Sequence, residues 1–383
     1  MTIRKIRIMI SIVCLFIVSP VFSQGQNNQG SSNGQPFQSL QNQIDSLQAQ
    51  ISAMLLDNSN QNQFDSLQEQ ISALQLDNSN QTQIDSLQAQ ISAMLLANSN
   101  SPINLAVDCN NGESINVAIA SVGGAVNQLN IEITGKCMEQ VSLRRSNVHL
   151  QGVSTDAGIT GNFALIALGG ASNISADSLT LVGGNAALAC LEGAAVLASH
   201  MVLENSSHGV LAQFGGVCAI TDSIVQYNEN GITIGSNGVV DAKGLIVQNN
   251  SNVAANIYTG GSLTLDASAT GASRVSNNRR GLSVFSNGNM RAINVVIENN
   301  LGIGINLFSG GTLVSENYPG SSLIVRNNNG MGIVIQPLSS ATFAGNVILN
   351  NNVGWDLYCR GVTSAAEVEN ISGGGNISSN CQF

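Results

Sequence analysis

The chain has 383 residues, of which 9% are charged and 4% aromatic. Thirteen Lys and Arg face 23 Asp and Glu, a formal net charge of −10. So sparse and acidic a surface repels nucleic acid and anionic membranes, which excludes both as expected partners.

The first element, residues 1–23, reads as a secretory signal peptide. Arg4, Lys5 and Arg7 form a basic start, Ile8 to Val18 an apolar core, and Val21-Phe22-Ser23 a small-residue cleavage site. The apolar stretch is too short for a comfortable membrane span, and no second one follows. The expectation is a chain secreted to the periplasm or beyond after cleavage near Ser23. Losing Arg4, Lys5 and Arg7 leaves ten basic residues against 23 acidic, a net charge near −13.

Residues 24–42 are a Gln/Asn/Ser/Gly tract that cannot bury a core and is expected to be a disordered linker. Residues 43–100 carry a 20-residue phrase three times, of which QIDSLQAQISAMLLDNSNQN is the first copy. Within each copy apolar residues fall at heptad spacing: Ile44, Leu47, Ile51, Met54; Phe64, Leu67, Ile71, Leu74; Ile84, Leu87, Ile91, Met94. That spacing predicts helices with a narrow apolar stripe. The polar inserts Asn58-Ser59-Asn60 and Asn78-Ser79-Asn80 interrupt them, because Asn and Ser compete with the helix backbone. Beside a plain solvated spacer, two arrangements remain open. Three short helices pack on one another, or partner chains form an interrupted coiled coil that makes a homo-oligomeric stalk.

Six cysteines follow the signal peptide: Cys109, Cys137, Cys190, Cys218, Cys359 and Cys381. An even number in an exported chain suggests disulfides, and neighbours in sequence pair as Cys109–Cys137, Cys190–Cys218 and Cys359–Cys381. No CxxC or Cys/His cluster exists, so no metal or other cofactor is expected.

The rest of the chain repeats one phrase with a period in the low twenties. A Gly-started alternating run, a Gly turn, a second alternating run and Asn-Asn recur, as in GITIGSNGVVDAKGLIVQNN and GLSVFSNGNMRAINVVIENN. Such a period means that one supersecondary unit is stacked, and the absence of helical spacing predicts a solenoid of strands. Ser114 to Val122 is short and amphipathic, with Ile115, Ala118, Ile119 and Val122 on one face, and is expected to cover the open apolar end. Strands are expected at Gln128 to Thr134, Gln140 to Leu143 and Val148 to Leu150.

The cap helix, the TGKC turn and the GIxI…VxNN phrase resemble the right-handed parallel β-helix (pectin lyase-like) superfamily over residues 105–383. The resemblance implies an all-β fold with three short strands and three turns per coil. It also implies a ladder of stacked Asn side chains in one turn. Asn228, Asn249, Asn250, Asn299, Asn300, Asn327, Asn328, Asn350 and Asn351 match that position, with Asn205 and Asn277 as further members.

That superfamily spans pectate lyases, polygalacturonases, uronan epimerases, phage tailspikes and non-enzymatic adhesins, so activity has to be read from residues. Hydrolysis of the polygalacturonase kind needs paired carboxylates, yet no Asp-Asp or Asn-Thr-Asp occurs. His208-Gly209 is similar to the His-Gly of that family but reads as a loop tip. Lyase or epimerase work on uronates needs a cation near the substrate carboxylate, and no Lys or Arg lies between Arg145 and Lys243. Asp177, His200 and Asp222 are expected close together on successive coils, at the turn after the Gly-started strand. They read either as a catalytic trio or as solvated turn residues.

Two coils carry insertions, Asp266 to Val275 and Glu316 to Ser322, after the same strand of their coils. Loops projecting from one side of a solenoid are common binding sites, and these bring Asp266, Arg274, Glu316 and Tyr318. Tyr258, Phe285 and Phe308 hold matching places on three successive coils. They are expected to stack on sugar rings or on one another over the turn. Two functions remain: a non-catalytic solenoid that binds glycan or another cell-surface ligand, and a polysaccharide-acting lyase, hydrolase or epimerase. The low aromatic content argues against a broad sugar-binding groove.

Overall fold

The computed structural model describes residues 102–122, 128–316, 321–361, 365–368, 371–372, 375–378 and 380–381. The signal peptide, the linker and the three 20-residue repeats lie outside the described residues, as does Tyr318. Every strand pairing between coils is parallel, so the described unit is a parallel β-helix, as the alternating phrase and the family resemblance imply. None of the described helices is long and apolar enough to cross a membrane.

Each regular coil has three strands, illustrated by His208–Gln213, Val217–Thr221 and Ile224–Gln226. They belong to the first, second and third sheets, joined at a first, second and third corner. The second sheet is the longest uninterrupted stack, with 12 strands. It begins one strand earlier than the sequence suggests, because Ile103–Asp108 pairs in register with Leu129–Thr134. Alternation decides which residues enter the bore. Val196, Cys218, Val240, Leu263 and Met290 form one inward column of the second sheet and are almost completely buried. Each such Val or Leu contributes on the order of 1.5–3 kcal/mol by leaving water.

The open end is closed as expected by helix α1 (Ile115–Ser121), whose Ala118 and Ile119 pack on the core with Val122 just beyond. Its free N–H groups are met by Glu139 from the next coil, which accepts from Ile115 N at 2.6 Å and Asn116 N at 3.2 Å. The three expected disulfides are present: Cys109–Cys137, Cys190–Cys218 and Cys359–Cys381. The first and last lie at the two ends, and the middle one crosses the bore between the first and second sheets.

The third corner corrects the Asn assignment. The buried ladder is Ser206, Asn228, Asn250, Asn278, Asn300, Asn328 and Asn352, so it includes Asn278 and Asn352 and excludes seven of the eleven expected members. Each backbone N–H donates to the side-chain oxygen one coil on, at 3.0 Å for Asn250 to Asn278 and 3.0 Å for Asn278 to Asn300. Each side-chain Nδ2 donates to a carbonyl of the preceding coil, as Asn278 does to Val247 O at 3.0 Å. The column ends on buried Asp356, whose carboxylate accepts from Asn352 and from Asn376 N. Asn205, Asn249, Asn277, Asn299, Asn327 and Asn351 sit one residue earlier, in the left-handed conformation at φ from 54° for Asn327 to 57° for Asn277. Asn tolerates that conformation, so two neighbouring Asn serve two different needs. Asn350 belongs to neither column and closes the strand Asn346–Asn350.

These roles predict different mutational costs. Asn278→Ala orphans buried donors and acceptors and should destabilise the fold by about 1–3 kcal/mol in a chemical denaturation series. Asn277→Gly, which keeps the left-handed turn accessible, should change it by less than about 0.5 kcal/mol. Equal costs at the two positions would refute the assignment.

Candidate functional site

Two edges of the second sheet carry the residues singled out in the sequence, and its outer face lies between them. The first corner supplies the aromatic column. Ile257, Val284 and Leu307 are in register and point into the bore, so Tyr258, Phe285 and Phe308 follow at the corner, half-buried. Phe285 stacks on Phe308 with ring centroids 4.7 Å apart and planes 8° apart, and on Tyr258 at 5.4 Å and 16°. The first value is the spacing of adjacent strands. Both faces of Phe285 are therefore covered by other rings, and it can offer a ligand only its edge. Tyr258 in turn lies over Gly235, where a Cβ would fall 2.6 Å from the ring. Its hydroxyl accepts from Gln213 Nε2 at 2.9 Å.

The second corner supplies the opposite edge. Both insertions leave from second-sheet strands, Ser262–Asp266 and Thr312–Ser315, as their spacing predicts. The first loop folds back along the solenoid: Ser268 and Thr270 hydroxyls donate to Asp222, two coils away. Gly244 makes this reach possible, since a Cβ there would fall 2.5 Å from Asp222 Oδ1 and 2.3 Å from Ser268 Oγ. Asp266 accepts from the N–H of Ala267 at 2.7 Å, and Glu316 pairs with Arg291 at 2.5 Å.

Between these edges the outward residues on the three aromatic-bearing coils are Ser262 and Thr264, Asn289 and Arg291, and Thr312 and Val314. Thr312 donates to Asn289 Oδ1 at 2.9 Å. The result is a shallow trough with a floor of hydroxyl, amide and guanidinium groups and the Val314 side chain. Aromatic edges border it on one side, and the first inserted segment and Glu316 on the other. Five of the residues singled out in the sequence border it: Tyr258, Phe285, Phe308, Asp266 and Glu316.

Arg274 does not. It lies in the third-sheet strand Ser273–Ser276 rather than in a loop, because the insertion ends two residues before it. There it pairs with Glu298 at 2.6 Å, and Arg326 holds the same carboxylate at 2.8 Å.

Asp177, His200 and Asp222 do come together, but one strand later than expected. They sit at the second corner, after the second-sheet strands Ile174–Asp177, Ala195–Ser199 and Val217–Thr221. Asp177 accepts from Ser199 Oγ at 2.6 Å, His200 Nδ1 at 2.7 Å, Ser178 Oγ at 2.9 Å and Gln151 Nε2 at 3.0 Å. Burial works against its charged form, but the hydrogen bonds from Ser199, His200, Gln151 and Ser178 outweigh it and hold the carboxyl well below its usual range. The hydrogen bond that His200 donates to Asp177, and the charge of that carboxylate, raise the His200 pKa, with a smaller contribution from Asp222. The Asp222 carboxyl is lowered first by Ser268 and then by Thr270. His200 thus presents Nε2 outward while Nδ1 is fixed, an orientation suited to proton transfer. His208 is not a loop tip. It opens a first-sheet strand, bonds Thr233 Oγ1 at 2.8 Å, and its pKa is lowered by burial.

No family model and no curated protein matches the chain. Among solved structures it is similar to the A-module of Azotobacter vinelandii mannuronan C-5 epimerase AlgE4. The identity is 12% and the TM-score 0.44, over 68% of this chain and 89% of that one. For the A-module of AlgE6 from the same organism the values are 14% and 0.38, over 70% and 94%. For a TibC-catalyzed hyper-glycosylated TibA fragment they are 16% and 0.21, over 71% and 100%.

The His200–Asp177 pair sets a pH dependence. Because the folded pKa of His200 lies above its ordinary 6.5, the contact stabilises fully below that pH. The contribution is lost as the pH rises through the raised folded value. An imidazole NMR titration should give His200 a midpoint above 6.5, moving back toward it in Asp177→Asn. An ordinary midpoint in the unmodified chain would show that the pair does not persist in solution.

Proposed function

We propose that the chain is an exported, non-catalytic β-helix that holds a glycan or another cell-surface polymer along the outer face of its second sheet. The observation that carries this reading is the trough itself. Aromatic edges and inserted segments flank the same three coils of one polar face. A repeating floor spaced at about 4.8 Å per coil suits a repeating polymer better than a compact metabolite. Three disulfides agree with an oxidising compartment, the one the basic-then-apolar start of the sequence calls for. Residues 43–100 would present several copies of the trough, which converts weak single contacts into avidity.

One observation favours the enzymatic alternative, a polysaccharide-acting lyase, hydrolase or epimerase. The Asp177-oriented His200 stands at the same second corner as the insertions, with Asp222 near it. Such a dyad can take a proton from a substrate carbon or water.

Retention on immobilised uronans and neutral polysaccharides, read together with product release, separates the two. Binding without products is expected, and Ala at Tyr258, Phe285 and Phe308 together should weaken it tenfold or more while circular dichroism stays unchanged. Product release abolished by His200→Ala, Asp266→Ala or Glu316→Ala would replace the binding reading with the enzymatic one. Light scattering should give the full chain a multiple of its monomer mass and the chain without residues 24–100 a single mass. Equal monomer masses would remove the oligomeric stalk.

A further inference from the structure

The third corner holds a second concave surface, on the far side of the solenoid's cross-section from the trough and made of different residues. Two columns of corner residues line it. Tyr227, Asn249 and Asn277 precede successive ladder residues and share the left-handed conformation, at φ 56°, 56° and 57°. Ser251, Arg279 and Leu301 follow the ladder residues, each backbone N–H bonded to a carbonyl one coil back. These six side chains, above the buried Asn250, enclose a groove.

Its shape follows from side-chain length. Tyr227 is 56% exposed and stands at one end, and Leu301, 67% exposed, stands at the other. Between them lie Asn249, Ser251 and Asn277, which are shorter. Three coil steps separate the end walls, roughly 14 Å at about 4.8 Å per step, the length of two to three pyranose rings. Tyr and Leu offer apolar faces to sugar C–H groups, while the Asn amides and the Ser251 hydroxyl can exchange hydrogen bonds with sugar hydroxyls.

The charge is the deciding feature. Among the described residues the arginine ion pairs are Arg274–Glu298, Arg326–Glu298 and Arg291–Glu316, and Arg279 takes part in none. Its exposed guanidinium lines the groove. Arg280 beside it donates to Asn252, and Glu298 nearby is shared by two arginines. Glu229 holds the same column one coil before Ser251, so the positive charge of the groove is confined to its Arg279 end, two coils from that carboxylate. A guanidinium fork matches a carboxylate in a bidentate pair.

We propose that the third-corner groove between Tyr227 and Leu301 binds a hexuronate unit, with Arg279 on its carboxylate and Tyr227 against its ring. The groove stands independently of the trough on the second sheet. Titration of the full chain with a short hexuronate oligosaccharide, followed by calorimetry, tests it. The experiment is best run in the Tyr258, Phe285 and Phe308→Ala background, so that failure of the trough leaves the answer intact. Arg279→Gln should weaken binding tenfold or more, Tyr227→Ala about as much, and Arg279→Lys less than Arg279→Gln. The carboxyl-reduced oligosaccharide should lose affinity for the unmodified groove but show little further loss in Arg279→Gln. Binding unchanged by both Arg279→Gln and Tyr227→Ala would overturn the proposal. So would equal affinity for the carboxyl-reduced sugar, or tighter affinity for a sulfated neutral one.

Discussion

A stacked solenoid has to turn its backbone sharply at every corner, and the donors freed there face the interior rather than water. An unpaired buried N–H costs on the order of 1–3 kcal/mol, and the cost recurs with each coil. The side-chain amides from Asn228 to Asn352 meet it by bonding one coil forward and one coil back. The ladder is directional, because each amide accepts on one side and donates on the other. It can therefore start on a hydroxyl, as at Ser206, and stop on a carboxylate that needs no outgoing donor, as at Asp356. Glu139 at the other end does the same service for the open donors of the cap helix.

Because the third corner is fixed identically coil after coil, the sheets keep strict register, and register turns single residues into columns. That is how three aromatic side chains separated by more than twenty residues in sequence come to lie ring on ring. It is also how insertions of unrelated sequence leave the solenoid from one edge. Their length is readable in the ladder, where the spacing between partners rises from 22 to 28 residues at Asn250–Asn278 and again at Asn300–Asn328. The extra residues are absorbed entirely at the second corner, and the amide column is not disturbed.

Legibility in the sequence follows from the same physics. Alternation with a fixed period reports which residues face the bore, so the solenoid, its cap and the cysteine pairs could be read directly. The Asn-Asn pairs could not be resolved, because one Asn is chosen for its side-chain bonds and its neighbour for its backbone conformation. Either need alone selects the same residue type, and the frame shows only where one of the two positions is not Asn, as at Tyr227-Asn228 and Asn205-Ser206. Arg274 lies in a strand rather than a loop for a related reason. A loop length says how many residues are extra, not where the strand resumes. The sequence placed the rings of Tyr258, Phe285 and Phe308 in one column, but whether their faces would be open depended on stacking at 4.7–5.4 Å, which no spacing encodes. Tyr227 interrupts a column that is otherwise Asn, but Arg279 belongs to one that varies from coil to coil, through Glu229, Ser251, Leu301 and Val353, and so breaks no pattern.

That last point bears on where activity can reside in such a fold. The ladder and the bore accept almost no variation, since any change is felt by the coils on both sides. The outer columns are free of that constraint, and a departure from the repeat there costs little. The chain departs from it in a few places only: an arginine without an ion pair among the described residues between two apolar posts, a ring column beside a polar floor, and a loop tied across Gly244 to Asp222. The loop tie has a structural consequence of its own. It spans two coils and ends on Asp222, one coil beyond His200, whereas the imidazole itself is oriented by Asp177 on the coil before. Asp222 thus fixes the loop through two hydroxyls and adds a small upward push to the His200 pKa, behind that of Asp177.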